Sequence, residues 1–220
     1  MKLDRIIAKD IPELSLSDNG VNALNLMEQF GVEHLPVVHE GKFVGLVCAD
    51  EILSMDNPTQ AFHLNQHEFP MFCLASSRHI YDAVKVITQQ KLTLLPVIDA
   101  QVNYLGSITL LTLLNGIAQI QSVNELGAIL VLEMNMHDYS LNQIAQIVEG
   151  NDAKILSASM SSVPNSTKIE ITLKINKEDL NPILQTFHRY DYTVVDTYME
   201  PKFSEDLKER YEEFMKFLNM

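Results

Sequence analysis

Where strands hand over to helices, this chain offers three kinds of reactive group: the hydroxyls of Thr109 and Thr112, the carboxylates of Asp50 and Glu51, and the thiol of Cys48. A threonine hydroxyl at such a junction can cap the helix or donate to a phosphate, because a helix N-terminus presents free N–H groups and a partial positive charge. Acids in a first turn are favoured by the helix dipole without any ligand. His34 opens a strand and has a side chain that titrates near neutrality. His63 and His67 stand four apart, a metal-ligand spacing on a helix, but the glutamate of a His-Glu-x-x-His protease is absent and the stretch reads as a polar linker. Cys48 and Cys73 have neither metal-ligand spacing nor a disulfide framework and read as small buried thiols. With no Gly-x-Ser-x-Gly, Walker glycine loop or supported Cys/His pair, the expectation is a protein that is not an enzyme.

The elements that must position these groups occur twice. His34-Leu35-Pro36-Val37-Val38 returns sixty residues on as Leu94-Leu95-Pro96-Val97-Ile98, and Ala23, Leu26 and Met27 return at the same offset as Ala83, Val86 and Ile87 on one helical face. After the Pro-Val strand the offset becomes sixty-one, because the turn at Glu40-Gly41-Lys42 gains a residue in Ala100-Gln101-Val102-Asn103. Insertions are tolerated in turns, which supports the repeat. Phe43 to Cys48 then matches Tyr104 to Thr109, and Ile52-Leu53 matches Leu113-Leu114. Each copy reads helix, strand, turn, strand, helix.

The two copies resemble a tandem pair of CBS domains, whose pattern is an apolar-Pro-Val strand followed by Gly-x-x-Thr/Ser-x-x-Asp entering a helix. The resemblance covers 1–124, with copy one at about 10–54, copy two at about 72–120 and a linker between. It implies two pseudo-symmetric halves with clefts that hold adenosine derivatives. Carried over residue by residue, Thr109 keeps the phosphate-facing hydroxyl while Thr112 stands for the ribose-binding aspartate. In copy one Cys48 replaces the hydroxyl and Glu51 stands for the aspartate, with Asp50 beside it and His34 toward a cleft rim. Neither copy has the full pair. The implied ligands are AMP, ADP, ATP or S-adenosylmethionine, with no other cofactor.

Beyond a boundary near Gln121 to Gly127 the pattern changes. Ala128 to Met134 reads as a strand, Ser140 with Gln143 as a capping box for a helix ended by Gly150, and 153–162 with 168–175 as a hairpin. Ile169, Ile171, Leu173 and Ile175 alternate with polar residues. A second helix, capped by Asn176 and burying Leu180, Ile183, Leu184 and Phe187, precedes a strand at 192–198. This order, βαββαβ, is ferredoxin-like. Over 126–200 it resembles the ACT domain, which implies amino-acid binding or dimerisation, although Met136 to Ser140 lacks the family's loop glycine. Pro201 precedes an expected terminal helix within 204–220, whose Leu207, Tyr211, Phe214 and Leu218 form a narrow pairing seam.

The fold class expected is thus α/β (α+β): a CBS pair with pseudo-two-fold symmetry, an ACT-type domain and a last helix. The domain order resembles the acetoin-utilisation accessory family. A net charge of −13, from 16 basic and 29 acidic residues, argues against nucleic acid. The uncharged run at 100–124 is broken by Asn103, Gly106, Asn115 and Gln119 and is explained by the repeat, so no membrane span is expected. Met1 to Arg5 lacks the apolar core of a secretory signal, and a cytoplasmic location follows. Two readings stand: a homodimeric regulatory sensor of a small ligand, acting on a target enzyme or transporter, or a constitutive dimeric adaptor whose clefts have lost their ligand.

Overall fold

The computed structural model describes residues 1–62, 69–164 and 166–199. The His63/His67 pair and the expected terminal helix at 204–220 lie outside the described residues. The chain divides into two compact units, Met1–Ala118 and Gln119–Met220.

In the first unit the repeat is visible element by element. Copy one has α1 (Gly20–Phe30), β1 (His34–His39), β2 (Lys42–Cys48) and α2 (Ala49–Leu53). Copy two has β3 (Leu74–Ala75), α3 (Ile80–Gln90), β4 (Leu94–Ile98), β5 (Tyr104–Thr109) and α4 (Leu110–Ile120). Asn19 caps α1 by accepting from the Asn22 amide at 2.9 Å. Both first helices stop in the left-handed region, at Gly31 in copy one and, less comfortably, at Lys91 in copy two.

The strand pairs repeat with equal fidelity. His34 pairs with Cys48 and Leu94 with Thr109, and each hairpin carries a bulge at the same place, between Val37 and Val38 or between Val97 and Ile98. The turn of copy one is two residues, Glu40 and Gly41, both with positive φ as a tight hairpin requires. The inserted residue of copy two widens its turn, which Asp99 holds by accepting from the Gln101 and Asn103 amides at 2.8 Å each. β3 adds to β4 in parallel, and Leu14 makes the equivalent parallel bridge to Val37. Val37, Leu46 and Ile52, with Leu94, Val97 and Ile108, are almost wholly buried beneath the helices. Burying side chains of this size is worth about 1.5–3 kcal/mol each.

The residues before each copy cross to the other copy. Ala8 exchanges backbone hydrogen bonds with Ser107 on β5, at 2.8 and 3.1 Å, while Pro70 accepts from the Leu46 amide on β2 at 2.9 Å. Glycine makes both crossings possible. A Cβ on Gly106 would stand 2.4 Å from Ile7 and 2.7 Å from the Ala8 carbonyl, and one on Gly45 would stand 2.2 Å from Phe69 Cβ.

The second unit holds β6 (Ala128–Asn135), α5 (Leu141–Glu149), β7 (Ile155–Ser162), β8 (Lys168–Ile175), α6 (Asn181–Arg189) and β9 (Thr193–Tyr198). Its antiparallel sheet has the order β7-β8-β6-β9, the ferredoxin-like topology. Ile169, Ile171, Leu173 and Ile175 face a core shared with Leu130, Ile144, Ile183 and Phe187. Two expected caps differ. Asn176 does not cap α6; its Oδ1 accepts from the Lys154 amide at 2.6 Å, and the helix begins at Asn181 with a proline in its first turn, where a missing N–H costs nothing. Ser140 does accept from the Gln143 amide at 3.4 Å, but the Gln143 side chain is drawn away by the Tyr192 hydroxyl at 3.0 Å. Both cysteines are free and half-buried rather than buried, and burial pushes the Cys73 thiol up.

Candidate functional site

The site builds from the N-terminus of α4. Thr109 closes β5 and heads the helix. Its amide donates to Thr112 Oγ1 at 2.9 Å, and the Thr112 amide donates back to Thr109 Oγ1 at 3.2 Å. The two threonines therefore act as a reciprocal capping box, the arrangement usually made by serine and glutamate. Their hydroxyl protons are also engaged, Thr112 Oγ1 donating to the Thr109 carbonyl at 3.0 Å and Thr109 Oγ1 to Thr112 Oγ1 at 3.3 Å. Leu110 and Leu111 follow, exposed despite being apolar.

Above this helix end lies a cleft of about 420 Å³. Its walls come from three further places: Ala8, Asp10 and Ile11 of the crossing segment; Phe30, Gly31 and Val32 at the end of α1; and Thr93 before β4. Copy one and copy two thus both line it. The volume is in the range of small-molecule sites. Of the residues that sequence reasoning singled out, Thr109 and Thr112 line this cleft. Asp10, Phe30 and Thr93 were not foreseen. They sit outside the Gly-x-x-Thr segment: the crossing of the lead-in carries Asp10, Thr93 precedes the strand whose Leu94 pairs with Thr109, and Phe30 ends α1 of the other copy.

The remaining candidates belong to the equivalent junction of copy one. Glu51 turns back on its own helix, accepting from the Cys48 amide at 3.3 Å, the same capping role that Thr112 plays in copy two. Asp50 shares that first turn. His34 is not at a rim but buried, with 8% of its surface exposed. Its Nδ1 lies 2.9 Å from Thr93 Oγ1 and accepts from the Thr93 amide at 3.3 Å, while Thr93 Oγ1 accepts from the Glu33 amide at 2.9 Å. Burial lowers the His34 pKa below 6.5, and the charges of Glu33, Glu51 and Asp50 draw it partly back. Thr93 is therefore a shared post: it lines the cleft of copy two and holds the imidazole of copy one.

In the second unit two further clefts are present. One of about 470 Å³ runs past Glu133, Asp138, Lys168 and Tyr192, with Lys168 paired to Glu133 at 2.6 Å. Another of about 250 Å³ lies between α5 and α6, near Asn151, Thr186 and Arg189. Among the described residues no group of three or more His, Cys, Asp or Glu side chains is arranged to hold a metal ion, and no helix is long and apolar enough to cross a membrane.

The first unit is thus a repeated motif with a cleft lined by residues of both copies. The family model of the CBS domain matches residues 3–56, the span of copy one, and copy two repeats the helix-strand-strand-helix order of that copy. Among curated relatives, an inosine-5'-monophosphate dehydrogenase of Methanocaldococcus jannaschii is 26% identical over 110 residues, covering 50% of this chain and 22% of that protein. An uncharacterised protein of the same organism is 22% identical over 109 residues, covering 50% of this chain and 41% of that one. The chain thus spans less than half the length of either relative. Among solved structures, a CBS domain pair/ACT domain protein from Thermotoga maritima is 22% identical, with a TM-score of 0.48 over 54% of this chain and 98% of that one. CBSX2, solved in complex with AMP, is 22% identical with a TM-score of 0.46, over 54% of this chain and 97% of that one.

Proposed function

We propose that this chain is a non-enzymatic, cytoplasmic regulatory sensor whose CBS pair takes up an adenosine-type ligand in the cleft at the head of α4. The observation that carries the reading is the double wall of that cleft. A ligand lying against Thr109 and Leu110 on one side and Phe30 and Gly31 on the other touches both copies at once. A ligand shifts a conformational equilibrium only through a difference in affinity between two states, and a site divided between two copies would lose contacts if the copies moved apart. AMP, ADP, ATP and S-adenosylmethionine are the compounds to try first. The signal would pass through a homodimer to a target enzyme or transporter, with the ferredoxin-like unit serving as an ACT-type pairing or amino-acid-binding module. The junction of Cys48, Asp50, Glu51 and His34 is the candidate for a second, equivalent site.

One observation favours the adaptor reading instead. Thr109 with Thr112, and Cys48 with Glu51, already satisfy one another, so neither helix end needs a ligand to be complete. Thermal unfolding against the four adenosine compounds and common amino acids separates the readings. Ligand at about 100 times its dissociation constant stabilises by roughly 2.7 kcal/mol, a rise of about 5–10 °C for a chain of this size. The sensor reading expects such a rise with an adenosine compound, diminished in Thr109→Ala. A loss in Glu51→Ala as well would mean that the copy-one junction is occupied too. A rise with amino acids alone would move the site to the second unit, and a flat panel would leave the adaptor.

A further inference from the structure

We infer that the cleft at the head of α4 selects an adenosine derivative that is neutral or positively charged where it meets Asp10, and discriminates against nucleotides. This rests on the sensor reading above and narrows its ligand class. Among the described residues lining the cleft, Asp10 is the only charged one. It is exposed, makes no hydrogen bond or ion pair, and comes from the five residues between Ala8, which is fixed to β5, and Leu14, which is fixed to β1. That tether at both ends holds Asp10 in the wall of the cleft. Lys9, its neighbour in sequence, does not line it.

A phosphate entering this space would bring a charge of about −1.5 to −2 to a wall that already bears a full negative charge. The cleft offers little in return. No Arg, Lys or His is among its described lining residues, and the hydroxyl protons of Thr109 and Thr112 are committed to one another and to the Thr109 carbonyl. The N-terminus of α4 contributes roughly half a positive charge, less than Asp10 cancels. What remains suits a nucleoside. Phe30, Ile11 and Leu110 supply apolar walls for a base, and Asp10 is a free double acceptor for sugar hydroxyls or a counter-charge for a cation such as a sulfonium.

The test is calorimetric titration of the full chain with adenosine, S-adenosylmethionine, AMP and ATP, repeated on Asp10→Asn and Asp10→Lys. The surface position of Asp10 makes both variants tolerable to the fold. The inference expects adenosine and S-adenosylmethionine to bind at least about tenfold more tightly than AMP and ATP, since a phosphate in the cleft would lie within a Debye length of the Asp10 carboxylate. It expects Asp10→Asn to shrink that gap and Asp10→Lys to reverse it for AMP. AMP or ATP binding the wild-type chain as tightly as adenosine would overturn the inference while leaving the sensor reading intact. A preference for adenosine that neither variant alters would overturn the role of Asp10. Failure of all four compounds to bind would overturn the sensor reading itself, and this inference with it.

Discussion

At the scale of single residues, His34 is where chemistry and stability meet. Its imidazole must stay neutral to accept from the Thr93 amide, and burial favours that form. The folded protein therefore holds fewer protons than the unfolded chain as pH falls through 6.5. The stability that neutral His34 contributes is complete above the unfolded pKa and is lost as pH falls toward the lower folded value. His34→Gln keeps an acceptor but cannot titrate. Urea unfolding at about pH 7.5 and pH 5.5 should show a smaller acid-side loss in the variant than in the wild type; equal losses would mean that His34 titrates alike in both states. Lys91 makes a simpler case. It closes α3 at φ 54°, where copy one has Gly31 at φ 64°. An L-residue pays about 1 kcal/mol or more for that conformation. Lys91→Gly is expected to raise the urea midpoint slightly, the relief being partly offset by the greater freedom of glycine in the unfolded chain.

Among the elements, the crossing segment matters most, because it carries both Asp10 and the backbone pairing that joins the lead-in to copy two. Gly106 is the weak point of that joint. Its φ of 132° suits glycine alone, and a Cβ there would strike Ile7 and the Ala8 carbonyl. Gly106→Ala should cost about 2 kcal/mol or more from backbone strain and clash together. Protease cleavage near Ala8 should be faster in the variant than in the wild type as the segment detaches. Unchanged cleavage and melting would show that the joint is not where the stability lies. The repeat itself was legible in the amino-acid pattern down to the one-residue insertion, because apolar alternation and turn residues are local signals. The caps were less so. Asn176 looked like a helix cap and instead ties the backbone of Lys154, since any nearby unsatisfied amide competes for its side chain.

For the molecule as a whole, two units with separate cores imply two separable stabilities. The second unit's core centres on Phe187, fully buried and edge-on to Tyr192 at a centroid distance of 5.4 Å. Phe187→Ala should cost about 3–5 kcal/mol in that unit alone. Calorimetry is expected to show its transition moving to lower temperature while that of the first unit stays in place; a common shift would mean that the two unfold together.

Spacing and apolar period by themselves determined that the chain holds two copies of one motif followed by a βαββαβ unit, which faces are buried, and that Thr109 stands at a helix start. These are properties of neighbouring residues, and a chain's local chemistry states them directly. Only the tertiary structure decided which residues line the cleft at the head of α4. Asp10 and Phe30 both lie well over seventy residues before Thr109 in the chain and yet line the same cleft, Asp10 because the lead-in crosses to the opposite copy, an exchange that no period records. The same folding spent the threonine hydroxyls on each other and drew His34 inward to Thr93. A side chain's function depends on which partners reach it first, and those partners are brought by packing.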